Sequence, residues 1–166
     1  MSDQIIRPRA GYTSSVTITR TADTATYGAN DIIGAATGST AGIEFTNIGP
    51  NAGHIMITSV ELMINSTGVI SGETSYTLHL YSITPPSALG DQATWDLPSG
   101  DRASYLGFVN LGTPLDVGST LYVQTDSVNK QIKLASNSLF GYLVTVGTYA
   151  STSNRVHIVK LNTMAI

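Results

Sequence analysis

Apolar and polar residues alternate along most of this chain with a period of two, and β-branched side chains fill the alternation, as in strands with one buried face. Residues 13–21 read TSSVTITRT, which sets Val16 and Ile18 on one face and Thr17 and Thr19 on the other. Residues 43–48 form a short strand stopped by Gly49-Pro50-Asn51, a turn signal. Residues 54–65 are longer and their alternation is blurred, which predicts a strand covered on both faces or bulged near Ser59. Residues 74–83 put Tyr76, Leu78 and Leu80 on one side and Ser75, Thr77 and His79 on the other. Residues 104–111, 119–126, 130–134, 138–149 and 155–163 continue the series, and no helical period persists beyond two turns.

The expected fold is therefore all-β, a jelly-roll-like antiparallel β-sandwich or barrel of about eight or nine strands in 166 residues. Residues 1–12 read as an extended N-terminal arm, in which Pro8 favours extended backbone beside Arg7 and Arg9. Residues 13–166 form a single β-sandwich domain, with no linker and no repeat of 20 to 50 residues to divide it. Residues 85–103 (PPSALGDQATWDLPSGDRA) make a long loop holding three prolines and the only tryptophan. Connections of that length inside a compact domain are often functional.

Composition narrows the class further. Charged residues are 11% of the chain, against roughly 25% in an average soluble domain. With 22 Thr and 18 Ser, the solvent-facing strand positions are largely small hydroxyls instead of Lys and Glu. Such a surface suits cover by neighbouring subunits, although Thr also favours strands for its own reasons. The absence of Cys excludes a disulfide scaffold, thiolate zinc and thiol catalysis. The net charge of −3 divides into +2 over residues 1–20 and −5 over the remainder. No Lys/Arg run could neutralise a row of phosphates, so no nucleic-acid partner is expected. The N-terminus shows no apolar signal region and no apolar run spans a bilayer, so the expectation is a soluble chain made in a cytoplasm, without a membrane partner.

Candidate chemistry is sparse. His54, His79 and His157 lie in three different predicted strands without HxH or HxxxH spacing, and His79 on its polar face reads as a surface histidine. Gly38-Ser39-Thr40-Ala41-Gly42 puts Thr where a nucleophile elbow needs Ser, and no Lys follows to make a phosphate cradle. Asp91, Asp96 and Asp101 stand five apart, with Asp116 beyond. They are oxygen donors a hard cation could use, but turn-forming and capping is the simpler account. No cofactor or metal is expected. Trp95, Tyr105 and Phe108 are aromatic anchors for a sugar ring or a partner's pocket, unless Trp95 only pins its own loop.

Several segments resemble the capsid decoration (cement) proteins of tailed bacteriophages: residues 27–34 (YGANDIIG), 75–85 (SYTLHLYSITP), 101–107 (DRASYLG), 139–145 (LFGYLVT) and the closing RVHIVKLNT, which together span most of residues 20–163. The resemblance implies a non-enzymatic, jelly-roll-like virion structural protein on the outer surface of an icosahedral head, assembled in the bacterial host cytoplasm. It further implies a homotrimer that bridges major capsid protein subunits and resists internal pressure, and it carries over no catalytic residue. Arg7, Pro8 and Arg9 are then the capsid-contact candidates, with guanidinium groups suited to bidentate carboxylate pairing. Trp95, Asp96, Asp101, Arg102 and Tyr105 are the loop interaction candidates. A fibre-tip or receptor- and carbohydrate-binding β-sandwich is the alternative, and a hydrolase using a carboxylate pair or His79 is a weaker third.

Overall fold

The structure is a computed structural model and describes residues 10–35 and 40–166. Its twelve strands are β1 (Gly11–Thr19), β2 (Thr26–Tyr27), β3 (Ile32–Ile33), β4 (Ile43–Phe45), β5 (His54–Asn65), β6 (Tyr76–Tyr81), β7 (Tyr105–Gly112), β8 (Leu115–Asp116), β9 (Thr120–Lys133), β10 (Leu139–Thr145), β11 (Tyr149–Ala150) and β12 (Val156–Ala165). β1 starts at Gly11, so residues 11 and 12 of the expected arm belong to the sheet. The two predicted strands at 119–126 and 130–134 are one, β9, bent where Ser127 and Asn129 take positive φ. The bulge expected near Ser59 is present: the register of β5 against β9 slips between Ile57 and Ser59.

All pairings are antiparallel, and they form a five-stranded sheet β1-β12-β5-β9-β8 and a second sheet β3-β10-β6-β7 in which β4 also pairs with β10. With the two-residue β2, β8 and β11 set aside and β3 and β4 taken as one rung, eight framework strands remain, and the first pairs with the eighth, the second with the seventh, the third with the sixth and the fourth with the fifth. That is a long antiparallel ribbon rolled on itself, the jelly roll. Strand order is invisible to periodicity, so this topology could only come from the structure. The short β2–β11 pair closes one end.

Between the sheets lies the main core, where Ile57, Val60 and Leu62 of β5 meet Leu78 and Leu80 of β6, with Leu139 and Leu143 of β10 and Val159 and Leu161 of β12 around them. Gly141 shows how close the packing is within the second sheet. An added Cβ there would collide with the carbonyl oxygen of His79. Gly141→Ala should therefore destabilise the fold by about 2–3 kcal/mol, the usual range for forcing a carbon into a packed site. A denaturant midpoint unchanged from the parent would show that the strands can separate without penalty.

Candidate functional site

The long connection between β6 and β7 is not a free loop. Its neck is pinned where Ser82 N donates to Ser104 O at 2.9 Å. Inside the neck the buried Asp101 carboxylate accepts Ser87 N at 3.1 Å and Ser87 Oγ at 3.0 Å. The loop then crosses the outer face of the second sheet and attaches to β3. Ile32 N donates to Ala93 O and Gln92 N to Ile32 O, both at 2.9 Å, and Trp95 N donates to Asn30 O at 2.8 Å. Under this cover lies a second core of Ile32, Ala41, Tyr81, Tyr142 and Val144, with Leu89, Trp95 and Leu97 packed against it.

His79 is the correction this cover imposes. Its alternation does place it opposite Leu78 and Leu80, yet that face is roofed, so the ring is buried and not on the surface. The Trp95 ring lies 3.8 Å from it between centroids. Tyr105 Oη sits 3.0 Å from Nδ1 and Thr77 Oγ1 3.2 Å from Nε2. Burial lowers the His79 pKa to about 4, so the ring is neutral. Trp95 also donates from Nε1 to Tyr81 Oη at 3.3 Å. Trp95 and Tyr105 thus pin the loop to its sheet, each engaged with His79. Asp96 is exposed and accepts its neighbour Leu97 N at 2.8 Å; Arg102 is exposed and makes no ion pair among the described residues. The four aspartates do not converge, since Asp101 closes the neck, Asp91 lies in an ionic network and Asp116 caps Gly118 N at 2.8 Å. Arg7, Pro8 and Arg9 lie outside the described residues, as do Gly38 and Ser39.

The network that holds Asp91 was not expected from the sequence. Arg20, at the end of β1, donates to Asp23 at 2.9 Å and to the Tyr27 hydroxyl, and lies 3.5 Å from Asp91. Tyr27 Oη donates to Asp91 at 2.5 Å. Across the tilted pair Tyr27 and Tyr149, 5.5 Å between centroids, Arg155 binds Glu73 at 2.9 Å, and Glu73 accepts the Tyr76 hydroxyl. Burial pushes Tyr149 up to about 12 and Tyr76 well above its ordinary value, so both remain neutral donors. Arg155 and His157 were legible after all. They continue the alternation of Val159 and Leu161 and so point inward with them. His157 is fully buried, and both its ring nitrogens lack a hydrogen-bond partner among the described residues. Burial, reinforced by Arg155 and Arg20, lowers its pKa to about 3.

The opposite, outer face of the five-stranded sheet carries no such roof, and its side chains stay at least partly exposed. Register sets three rows across it: Thr17, Ile158, Met63, Tyr122 and Leu115; Ser15, Lys160, Glu61 and Gln124; Thr13, Asn162, Ser59 and Asp126. Of these thirteen positions three are charged, and two of them, Lys160 and Glu61, neutralise each other at 3.0 Å. At one end Leu115 is 71% exposed. This is a broad, rigid, nearly uncharged surface, as the hydroxyl-rich composition implied.

No family model and no curated protein matches the chain. Among solved structures it is similar to the capsid of Ralstonia phage GP4, at 11% identity over 98% of this chain and 88% of that one, with a TM-score of 0.39. It is similar to a chain of the Cyanophage Pam1 capsid at 14% identity, over 96% of this chain and 85% of that one, with a TM-score of 0.38. A Desmodium yellow mottle tymovirus chain aligns at 14% identity over 99% of this chain and 91% of that one, with a TM-score of 0.30.

The two buried histidines fix how stability responds to acid. Their ordinary pKa is 6.5, and the folded values are about 4 and about 3. Above pH 6.5 both states hold neutral rings and the full stability is present. As pH falls from 6.5 through the folded values, the unfolded chain takes up protons that the folded one refuses, and stability is lost. Urea unfolding should show a loss on the order of 6 kcal/mol from pH 7 to pH 4, because each of the two histidines gives up on the order of 1.4 kcal/mol per pH unit below its ordinary value. His157→Phe, which removes the two unpaired ring nitrogens, should flatten that slope; an unchanged slope would place the acid sensitivity elsewhere.

Proposed function

We propose that this chain is a non-enzymatic virion structural protein, a jelly-roll module that sits on the outer surface of a phage head and bridges major-capsid subunits. The observation that carries the reading is the asymmetry of cover: one sheet is roofed across β3, β10 and β6 and stays open along β7, while the other presents three registered rows of nearly uncharged side chains. Uncharged, partly apolar and held rigid from behind, such a face loses little on desolvation and needs no reorganisation to dock. The polar groups speak for the same role. Each buried carboxylate, Asp31, Glu73, Asp91 and Asp101, is occupied by hydrogen bonds inside the fold, so none is poised for acid–base work. The sequence resemblance to cement proteins points the same way, with the cationic residues of the arm, Arg7 and Arg9, meeting an acidic patch on the head.

The alternative, a receptor- or carbohydrate-binding module, has one feature in its favour. Phe108 is 52% exposed beside a groove of about 420 Å³ shared by Asn110, Asp126 and Lys130. The other two candidate rings, Trp95 and Tyr105, are engaged with His79.

Co-sedimentation of the purified chain with empty heads separates the readings. The parent should pellet with heads, and Ile158→Lys, a charge placed mid-face, should lose binding by about tenfold or more while melting within a few degrees of the parent. Removal of residues 1–9 should weaken binding and leave the domain folded. Unimpaired pelleting of both variants, or glycan binding abolished by Phe108→Ala, would sink the decoration reading.

A further inference from the structure

A bare sheet edge is a template for another strand, and proteins blunt it with charge, proline, bulges or brevity. Three of the four edges here are blunted. β8 is two residues long, and the remainder of β9 bends at Ser127 and Asn129 and carries Lys130 and Lys133. β7 slips register twice against β6 and holds Gly107 and Gly112 at positive φ. β3 and β4 are two and three residues long, and β3 is closed by the loop at Gln92 and Ala93. β1 has none of these devices: nine uncharged residues without proline run in unbroken register along β12.

The ladder says which groups are bare. Arg20 N donates to Arg155 O, and Ala165 N donates to Ala10 O. Bonded and non-bonded pairs alternate along an antiparallel ladder, so even-numbered residues face β12. The N–H and C=O groups of Gly11, Thr13, Ser15, Thr17 and Thr19 therefore point away from the sheet, and no described residue pairs with them. Their side chains lie on the exposed outer face. A groove of about 220 Å³ runs beside the edge between Val16, Ile18, Thr40 and Glu44.

We propose that β1 pairs with β1 of a second copy of this chain, antiparallel about a two-fold axis at Ser15. The strand itself selects this occupant. Bonded residues across the new ladder must both be odd-numbered, which also keeps outer face against outer face. Ser15 opposite Ser15 engages all five bare residues of each copy, ten backbone bonds in all, and every other permitted register engages fewer. Thr13 then faces Thr17 and Gly11 faces Thr19, so no like charges meet, and hydroxyl pairs line the joint. Two five-stranded sheets become one of ten strands, and the nearly uncharged face doubles in extent. The contact is isologous and closed, a pair instead of the threefold ring that the family resemblance implies. It does not depend on the chain binding a capsid.

Sedimentation velocity of the full chain, with Ser15→Pro as the variant, tests the pairing. Proline at position 15 removes an outward N–H and no bond to β12, the one arrangement in which a strand accepts it. The parent should be a dimer and the variant should associate about 30-fold more weakly or worse, having lost one backbone bond from each copy, with its circular dichroism unchanged. Because the chain lacks Cys, Ser15→Cys supplies one thiol per copy. Opposite bonded residues stand about 5.5 Å apart at Cα, within disulfide reach. Oxidised Ser15→Cys should cross-link into dimers and Thr13→Cys, whose opposite residue is Thr17, should not. A monomeric parent at high micromolar concentration, a trimer indifferent to Ser15→Pro, equal cross-linking of both cysteine variants, or dimers that form only after deletion of residues 1–9 would each overturn the proposal.

Discussion

The pairing of the first framework strand with the last is the constraint on which the remainder of this structure depends. β1 and β12 hold nine residue pairs in register, and their union forces the intervening chain to roll. The ribbon must then end in a connection at the far side, between β6 and β7, and that connection folds back across the nearer sheet. Cover on one sheet and openness on the other are therefore two results of a single topology.

Six charged side chains are buried among the described residues, and four of them form one network. Arg20, Glu73, Asp91 and Arg155 are buried where β1 ends, β12 begins and the long loop turns, and they tie those three regions to one another. Buried ion pairs are weak evidence for stability, since desolvation offsets much of their attraction, but removing one partner leaves a charge stranded and costs several kcal/mol. Their value is in fixing geometry: Arg20 meets Asp23, Tyr27 and Asp91, and Arg155 meets Glu73 through Nη2, only in the native approach of loop and strand ends, while Arg155 Nε and Nη1 have no partner among the described residues. The outer face of the five-stranded sheet is left mostly to uncharged side chains, with Lys160 and Glu61 paired on it and Asp126 in its third row.

Local elements were readable from the amino-acid order, because strand periodicity is a local property. The span of β5 and its slip near Ser59 followed from broken alternation, and the two faces of β6 were assigned correctly. The environment of His79 was not, because the roof over it comes from residues far along the chain and has no period of its own. Asp101 and Asp116 do make the turn and capping bonds expected of them, but that Ser87 is the partner of Asp101 depends on residues 14 apart, which spacing does not reveal. Arg155 and His157 extend the alternation of Val159 and Leu161 backwards, so periodicity alone turns them inward. The rows across the outer face required the register of four strands, information that no single strand contains.

The central claim is that the chain works by presenting the open face of its five-stranded sheet to other proteins on the outside of a shell. An image of intact particles at subunit resolution tests it most directly. The account predicts density for this fold outside the shell, with the rows around Ile158 and Glu61 turned into contacts with neighbouring subunits. Density within the shell, or a chain seated through the roofing loop around Trp95 with that open face left in solvent, would contradict it.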